Sequence, residues 1–293
     1  MPIDLSAFSE KAPALRVLNL RASKHGRLVA SHDWDEDCRR NIYSASKSFT
    51  AIAVGIAQQE GLLSIDERLT DAFAGDLPEF VSEHLLQARV RDLLTMCLGQ
   101  AQGFLMGAQR PLYPETDWVK LALRQPFSYA PGTRFVYNNV GPYLAGVLVQ
   151  RRAGTDLVSY LMPRLFGPLG IHRPTWECDP LGLTFGAGGL MLTASELHRF
   201  GLLCQQDGHW QGRQLVPAQW VQACLQRQAE NGTPHGYGYL FWGGADQVFR
   251  ADGKYGQLCF IDRRGGAVLT LLAECRDTKA LMEAVREDLL PQL

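Results

Sequence analysis

The 293-residue sequence lacks an excess of charge of either sign: 29 lysines and arginines stand against 30 aspartates and glutamates. Its densest cluster, Asp33-Trp34-Asp35-Glu36-Asp37 followed by Arg39-Arg40, nearly cancels itself. A nucleic acid or an anionic membrane gripped by a basic face is therefore not expected as a partner. Long apolar runs are missing as well. Residues 51–57 and 268–273 are core-sized, far short of the ~20 residues that cross a bilayer. Met1-Pro2-Ile3-Asp4-Leu5-Ser6 has neither a basic stretch nor an apolar one, so no secretory signal is read there. The seven cysteines (Cys38, Cys97, Cys178, Cys204, Cys224, Cys259, Cys275) are odd in number and scattered, with no C-x-x-C pair for zinc or redox chemistry. Buried free thiols in a reducing compartment are expected, which makes the cytoplasm the default address.

What is present is ordinary globular composition, 46% hydrophobic and 20% charged, enough for one large domain or two interlocked ones. Residues 15–22 and 26–32 read as a hairpin about Ser23-Lys24-His25. From Ser44 the period changes: Phe49, Ile52, Ala53, Ile56 and Ala57 recur at helical spacing, and Gly61 marks a stop. Residues 64–185 read as helical pieces (90–94, 118–123, 140–152, 156–166) punctuated by prolines. Thr193-Ala194-Ser195-Glu196 opens another helix with a capping signal. Strand character returns at 237–242, 248–251, 257–262 and 267–272, and a helix over 278–290 ends the pattern. This order predicts an antiparallel sheet built from both chain ends, 1–64 with 183–293, and a mostly helical insert over 65–182.

Familiar catalytic signatures are also absent: no G-x-S-x-G, H-E-x-x-H, Walker A or G-x-G-x-x-G stands in the chain. Gly186-Ala187-Gly188-Gly189 has the wrong spacing for a dinucleotide loop and reads as a tight crossing. Ser44-Ala45-Ser46-Lys47 remains. Residues i and i+3 share a helix face, so Lys47 can reach the Ser44 hydroxyl while Ser46 points elsewhere. A serine becomes a nucleophile when a base takes its proton, and a lysine serves when burial or a nearby cation lowers its pKa. Ser44 at a helix start also offers its own N–H to an oxyanion. Taken alone, the same four residues fit a capping serine and a solvated lysine equally well. Tyr137-Asn138-Asn139 follows Pro131-Gly132-Thr133 in a loop before a helix. A tyrosinate held down by cations could act as base, and an amide could orient a substrate carbonyl. Tyr137 could equally be a packed aromatic.

Together these segments resemble the serine β-lactamase and penicillin-binding superfamily. Ile42-Tyr43-Ser44-Ala45-Ser46-Lys47-Ser48-Phe49-Thr50 looks like its first motif, and Val90-Arg91-Asp92-Leu93-Leu94-Thr95-Met96 like a recurrent helical segment. Tyr137-Asn138-Asn139 looks like the class C form of its second motif, and Gly188-Gly189-Leu190 with Thr193-Ala194 and Arg199-Phe200 like a later stretch. The resemblance runs over about residues 15–285. It implies an α/β (α+β) β-lactamase/transpeptidase-like fold, an antiparallel sheet with a helical insert, and acyl-enzyme chemistry with no cofactor and no metal. It implies Ser44 as nucleophile, Lys47 and Tyr137 sharing the proton transfers, and Asn139 contacting substrate.

The third motif departs from the family. Lys- or His-x-Gly is usual, whereas this chain reads Arg250-Ala251-Asp252-Gly253-Lys254-Tyr255-Gly256-Gln257. Aligned on Gly253, the basic position is Ala251 and the Lys254 N–H becomes the second oxyanion donor. Aligned on Gly256, Lys254-Tyr255-Gly256 matches literally. The Gly253 register is preferred, since G-x-x-G-Q resembles esterases and the 6-aminohexanoate-dimer hydrolase branch. Without a cation at Ala251 the carboxylate of a penicillin loses a partner. The leading expectation is a hydrolase of small-molecule carboxylic esters, with small amides possible on the same chemistry. A β-lactamase or D-Ala-D-Ala-type peptidase, an acyltransferase and an inactive binding protein of the same fold are the alternatives. The oligomeric state is not legible. Tyr237, Tyr239 and Trp242 could line a pocket or fill core, and His235 reads as a surface residue.

Overall fold

The computed structural model describes residues 2–244 and 247–293; Met1, part of the N-terminal stretch read above, lies outside them. Strand β1, Val17–Lys24, turns at His25-Gly26 into β2, Arg27–Asp33. Both turn residues take positive φ, 48° and 73°, which a tight two-residue hairpin requires. Ser23 and Lys24, expected in the turn, instead extend β1. The remaining strands of the main sheet come from the last third of the chain: β3 (Trp242–Gly243), β4 (Phe249–Gly253), β5 (Gln257–Asp262) and β6 (Ala267–Ala273). β6 pairs antiparallel with β1, from Val17 opposite Ala273 to Lys24 opposite Ala267, and the six strands run in the order β2-β1-β6-β5-β4-β3. Both ends of the chain thus build one sheet, and among the described residues none from 65–182 joins it.

Of the expected 237–242 strand only Trp242 enters the sheet, followed there by Gly243. Tyr237 pairs instead with Ala229, and Leu240 turns at φ 59° to donate to the Leu94 carbonyl. Gly238 explains the detour, since a Cβ there would sit 2.0 Å from the Cys224 carbonyl oxygen. The expected 156–166 helix is regular only over Leu157–Leu161 and then widens over Met162–Phe166, where Pro163 has no N–H to give. The last helix, Thr278–Ala284, likewise widens over Val285–Leu289. Helices at Val90–Leu94, Trp118–Leu123, Val140–Ala153 and Ala194–Gln205 stand where the pattern puts them, the last with a full Thr193/Glu196 capping box. Short helices at Ser6–Lys11, Leu69–Ala72, Glu83–Gln87 and Ala218–Cys224 have too few turns to show a period.

The two faces of the sheet follow the alternation of β5. Cys259 and Ile261 point into the larger core with the central helix, Ser46–Gln59, and the Val140–Ala153 helix. Leu258 and Phe260 point into a smaller core with Phe8, Val285 and Leu289. The Ser46–Gln59 helix is buried from Ser46 through Ala57, as a helix apolar nearly all round must be. Gly55 leaves room for the Trp220 indole, whose N–H donates to the Ala51 carbonyl at 2.9 Å. Among the described residues no helix is long and apolar enough to cross a membrane, and no cluster of His, Cys, Asp and Glu could hold a metal ion.

Candidate active site

Ser44 stands not on the central helix itself but in the tight turn Tyr43–Ala45 that feeds it. Tyr43 adopts φ 47°, a left-handed conformation costly for an aromatic residue. Three hydrogen bonds hold it there. The Tyr43 N–H donates to Asn41 Oδ1 at 2.7 Å, Ser46 Oγ donates to the Tyr43 carbonyl at 2.6 Å, and the Leu190 N–H donates to Ser46 Oγ at 3.1 Å. Ser46, facing away from Lys47 as its spacing predicts, is thus a brace for the turn.

Lys47 Nζ lies 2.9 Å from Ser44 Oγ and 2.6 Å from the Ala187 carbonyl oxygen. The lysine is 1% exposed. Burial, with the charge of Arg110 in support, pushes its ammonium down to about 7. Near neutral pH much of it is therefore free amine, which can give an N–H to Ala187 and turn its lone pair to the serine proton. Ala187 belongs to the glycine-rich segment read as a tight crossing. A Cβ on Gly186 would lie 2.8 Å from the Pro142 oxygen and 2.9 Å from Thr50 Oγ1. Gly186 thus lets the segment lie close against both the central helix and the Val140–Ala153 helix, beside the Ala187 carbonyl that meets Lys47.

The Tyr137 hydroxyl faces Ser44, and its ring stacks on Trp242 at 5.4 Å. Lys47 Nζ lies 5.2 Å from the ring centroid. Burial raises the phenol to about 12, with Ser44 pulling it partly back and Asp252 adding to the rise. This overturns the expectation of a tyrosinate held down by cations. Lys47, about half neutral near pH 7, is a weak cation to hold a tyrosinate. The site has a low-pKa lysine and a tyrosine that stays protonated.

Asn139 is buried and anchored: its Nδ2 donates to the Leu105 carbonyl at 2.9 Å, and its Oδ1 is left without a partner. The free end is an acceptor, suited to a substrate N–H or O–H rather than to the carbonyl expected from the sequence. Gly253 ends β4 against the nucleophile turn, where a Cβ would fall 2.2 Å from the Ile42 carbonyl oxygen. Gly256, the glycine of the other register, packs instead under Leu281, where a Cβ would fall 2.4 Å from its Cδ2. Lys254, Tyr255 and Gly256 form the turn after β4, and the exposed Lys254 side chain puts Nζ 4.6 Å from the Tyr255 ring. The geometry favours the Gly253 register. Neither the Ser44 N–H nor the Lys254 N–H has an acceptor among the described residues. Ala251 is buried, with no cation in its place.

Three participants escaped the sequence reading. A backbone carbonyl such as that of Ala187 leaves no residue-type signal. Arg110 comes from a loop with no pattern; it pairs with Glu177 at 2.5 Å and lies 4.4 Å from the Phe185 ring. Trp242 was left between pocket and core, and it divides from its companions: Tyr237 and Tyr239 are core, whereas the partly exposed Trp242 backs the Tyr137 ring. His235 is exposed, as expected.

Comparison with known proteins agrees with this layout. The family model described as Beta-lactamase matches residues 12–290. A lovastatin esterase from Penicillium rubens is 31% identical over 156 residues, covering 44% of this chain and 37% of that protein. The match thus spans little more than a third of the curated relative. A candidate 6-aminohexanoate-dimer hydrolase from Bacillus anthracis superposes with a TM-score of 0.79 at 17% identity, over 97% of this chain and 83% of that one. The octameric penicillin-binding protein homologue from Pyrococcus abyssi gives 0.77 at 18% identity, over 98% and 78%. At these identities the structures speak for the fold alone.

Proposed function

Because the chain belongs to the Beta-lactamase family, we propose that it is a serine hydrolase acting on small-molecule carboxylic esters through an acyl-enzyme on Ser44. One observation carries the reading: Ser44 Oγ, Lys47 Nζ and the Ala187 carbonyl form one hydrogen-bonded line. The Lys47 amine takes the Ser44 proton as Oγ attacks the ester carbonyl. The Ser44 and Lys254 N–H groups, both free to donate, receive the oxyanion. The proton now on Lys47 passes through the Tyr137 hydroxyl to the departing alkoxide, which leaves as the alcohol. Water then attacks the acyl-enzyme with Lys47 again as base; the intermediate expels Ser44 Oγ, which takes the proton back from Lys47 as the carboxylic acid leaves, and no cofactor is needed.

Two features favour esters over β-lactams: the absence of a cation at Ala251 and the likeness to a protein named as an esterase. The unpartnered Asn139 Oδ1 extends the reading to small amides, whose N–H it would accept. The test is intact-mass spectrometry after mixing with short-chain p-nitrophenyl esters and with nitrocefin. The expected result is an ester-derived adduct on Ser44 and no efficient nitrocefin turnover. An adduct-free protein after every ester would end the esterase reading, and efficient nitrocefin hydrolysis would return it to the β-lactamases.

A further inference from the structure

The loop over residues 103–113 belongs to neither the sheet nor a long helix, yet it touches Tyr137, Asn139 and the glycine-rich crossing. A Cβ on Gly103 would lie 2.8 Å from the Tyr137 carbonyl oxygen. The Phe104 carbonyl accepts the Asn139 N–H at 3.2 Å, and the Leu105 carbonyl accepts its Nδ2 at 2.9 Å. Gln109 ties the loop to itself: its Oε1 accepts from the Met106 N–H and the Tyr113 hydroxyl, and its Nε2 donates to the Gly103 carbonyl. Arg110 follows and reaches out of the loop. Its guanidinium lies 4.4 Å from the Phe185 ring and pairs with Glu177 at 2.5 Å. Both partners are built into the crossing that supplies the Ala187 carbonyl. The Glu177 N–H donates to the Gly189 carbonyl, and the Phe185 N–H donates to the Glu177 carbonyl.

Stability does not account for this arrangement. The Glu177 side chain is 43% exposed, and an ion pair so open to water adds little. Arg110 Nε meanwhile is buried and donates to nothing, a cost that a pair lying wholly in water would not bear. What the contacts secure is the place of a cation that keeps its charge at any ordinary pH. Among the described residues, Arg110 is the one charged group that bears on Lys47. Of the other titratable groups at the site, Tyr137 keeps its proton to about 12, and Asp252 acts on Tyr137 and is paired with Arg250 at 2.8 Å.

We propose that Arg110 is a positioning residue for the reaction at Ser44: clasped by Glu177 and Phe185, it fixes a permanent positive charge beside the Lys47 amine. The inference rests on the serine-hydrolase reading and adds to it the residue that readies the base. A neighbouring cation disfavours a second one, so Arg110 works with burial to keep Lys47 able to take the Ser44 proton. Glu177 then has two opposed effects, holding the arginine in place and offsetting part of its charge.

Two readouts test it in Arg110→Gln, Glu177→Gln and Arg110→Lys. The first is ¹³C NMR of lysine labelled at Cε, with Lys47 assigned from a Lys47→Met variant; it follows the amine through its titration without turnover. The second is the pH profile of kcat/KM for p-nitrophenyl butyrate. In Arg110→Gln the Lys47 titration should move up, so that at pH 6 the free-amine fraction and kcat/KM both fall roughly three- to tenfold. Glu177→Gln keeps the arginine and a hydrogen-bond acceptor for it while removing the negative charge, so the titration should stay or move down. Arg110→Lys restores the cation and should bring the titration back toward that of the unaltered protein. A clasp with a structural role alone gives a different pattern: a loosened loop would let water reach Lys47 and raise its titration in both Gln variants alike. That result overturns the proposal, as does an unmoved titration in Arg110→Gln or an Arg110→Lys protein that behaves like Arg110→Gln. Titrations that move as expected in a protein that no ester acylates would keep Arg110 as the group acting on Lys47 and end the esterase reading. An acylating protein whose Lys47 ignores Arg110 would do the reverse.

Discussion

Among the described residues, two buried bases each hydrogen-bond a serine hydroxyl, and the two clusters differ in kind. At the nucleophile turn, Ser44 meets Lys47 at 2.9 Å. On the same face of the sheet as the central helix, Ser23 Oγ meets His198 Nε2 at 2.8 Å, His198 Nδ1 meets Thr270 Oγ1 at 3.0 Å, and Thr270 Oγ1 donates to Cys259 Sγ at 3.4 Å. Each cluster contains a base whose pKa is lowered chiefly by burial, Lys47 to about 7 and His198 to about 4. On hydrogen bonding alone the serine–histidine pair is the more familiar nucleophile. The difference is access. Ser23, Thr270 and Cys259 are all buried and every polar atom of the His198 ring is spoken for, so no substrate carbonyl can approach. Ser44 is partly exposed on the strained turn that Tyr43 enters, with its own N–H and that of Lys254 unclaimed among the described residues. A lowered pKa marks a buried base; free donors beside an accessible hydroxyl mark a catalytic one.

The largest expected effect follows from this contrast. Ser44→Ala should abolish acylation, seen as loss of the ester-derived mass adduct, whereas Ser23→Ala should acylate at close to the unaltered rate. An adduct that persists in Ser44→Ala would move the chemistry elsewhere. Next in size is Tyr137→Phe, which keeps the ring on Trp242 and deletes the hydroxyl. Esterase kcat/KM should drop roughly 10²–10⁴-fold, the range for a lost proton-transfer group. Because the residues act as a unit, the Ser44→Ala/Tyr137→Phe double variant should be no worse than Ser44→Ala. Full activity in Tyr137→Phe would make that ring a packing residue.

The sealed cluster should show itself in stability. His198 has a folded-state pKa depressed from 6.5 to about 4, so the unfolded chain binds more protons between those values. Stability from this group is complete above about pH 6.5 and is lost as pH falls toward 4, by about 3 kcal/mol in all. Urea unfolding followed across that window should show the decline, and His198→Gln, which cannot protonate there, should show a shallower one. Equal slopes in the two proteins would mean that other groups govern the acid limb.

The sequence carried the scaffold well where side chains repeat. The period from Phe49 to Ala57, the Thr193/Glu196 cap and the β5 alternation each tie a local pattern to a buried face. It also named three side chains that the fold brings together, Ser44, Lys47 and Tyr137. What it could not carry was polarity and surroundings. That Lys47 rather than Tyr137 has the lowered pKa depends on how Lys47 is buried and how Arg110 is folded over it from a patternless loop. That Asn139 spends its Nδ2 and leaves its oxygen without a partner depends on the Leu105 carbonyl, which any residue type could supply. The 237–242 segment failed as a strand because of a steric demand at Gly238 that alternation does not record.

The smallest predicted effect is also the one that assigns the base. If Lys47 near pH 7 is the group that must be deprotonated, kcat/KM for a neutral ester should climb tenfold per pH unit below about 7 and level off above it. Tyr137, raised to about 12, should add no second limb in the ordinary range. At neutral pH the change amounts to a factor of about two, so the whole profile has to be measured, with burst amplitude recorded to show that the enzyme remains folded at each pH. Tyr137→Phe separates the two candidates. Its residual activity should keep the limb near 7, because the Lys47 amine is still there to lose its proton, although all rates are lower. A tyrosinate mechanism demands the opposite: the limb would belong to the coupled lysine–tyrosine pair and would vanish with the hydroxyl. A flat profile in Tyr137→Phe beside a sloping one in the unaltered protein would therefore hand the base to Tyr137 and reduce Lys47 to its electrostatic support.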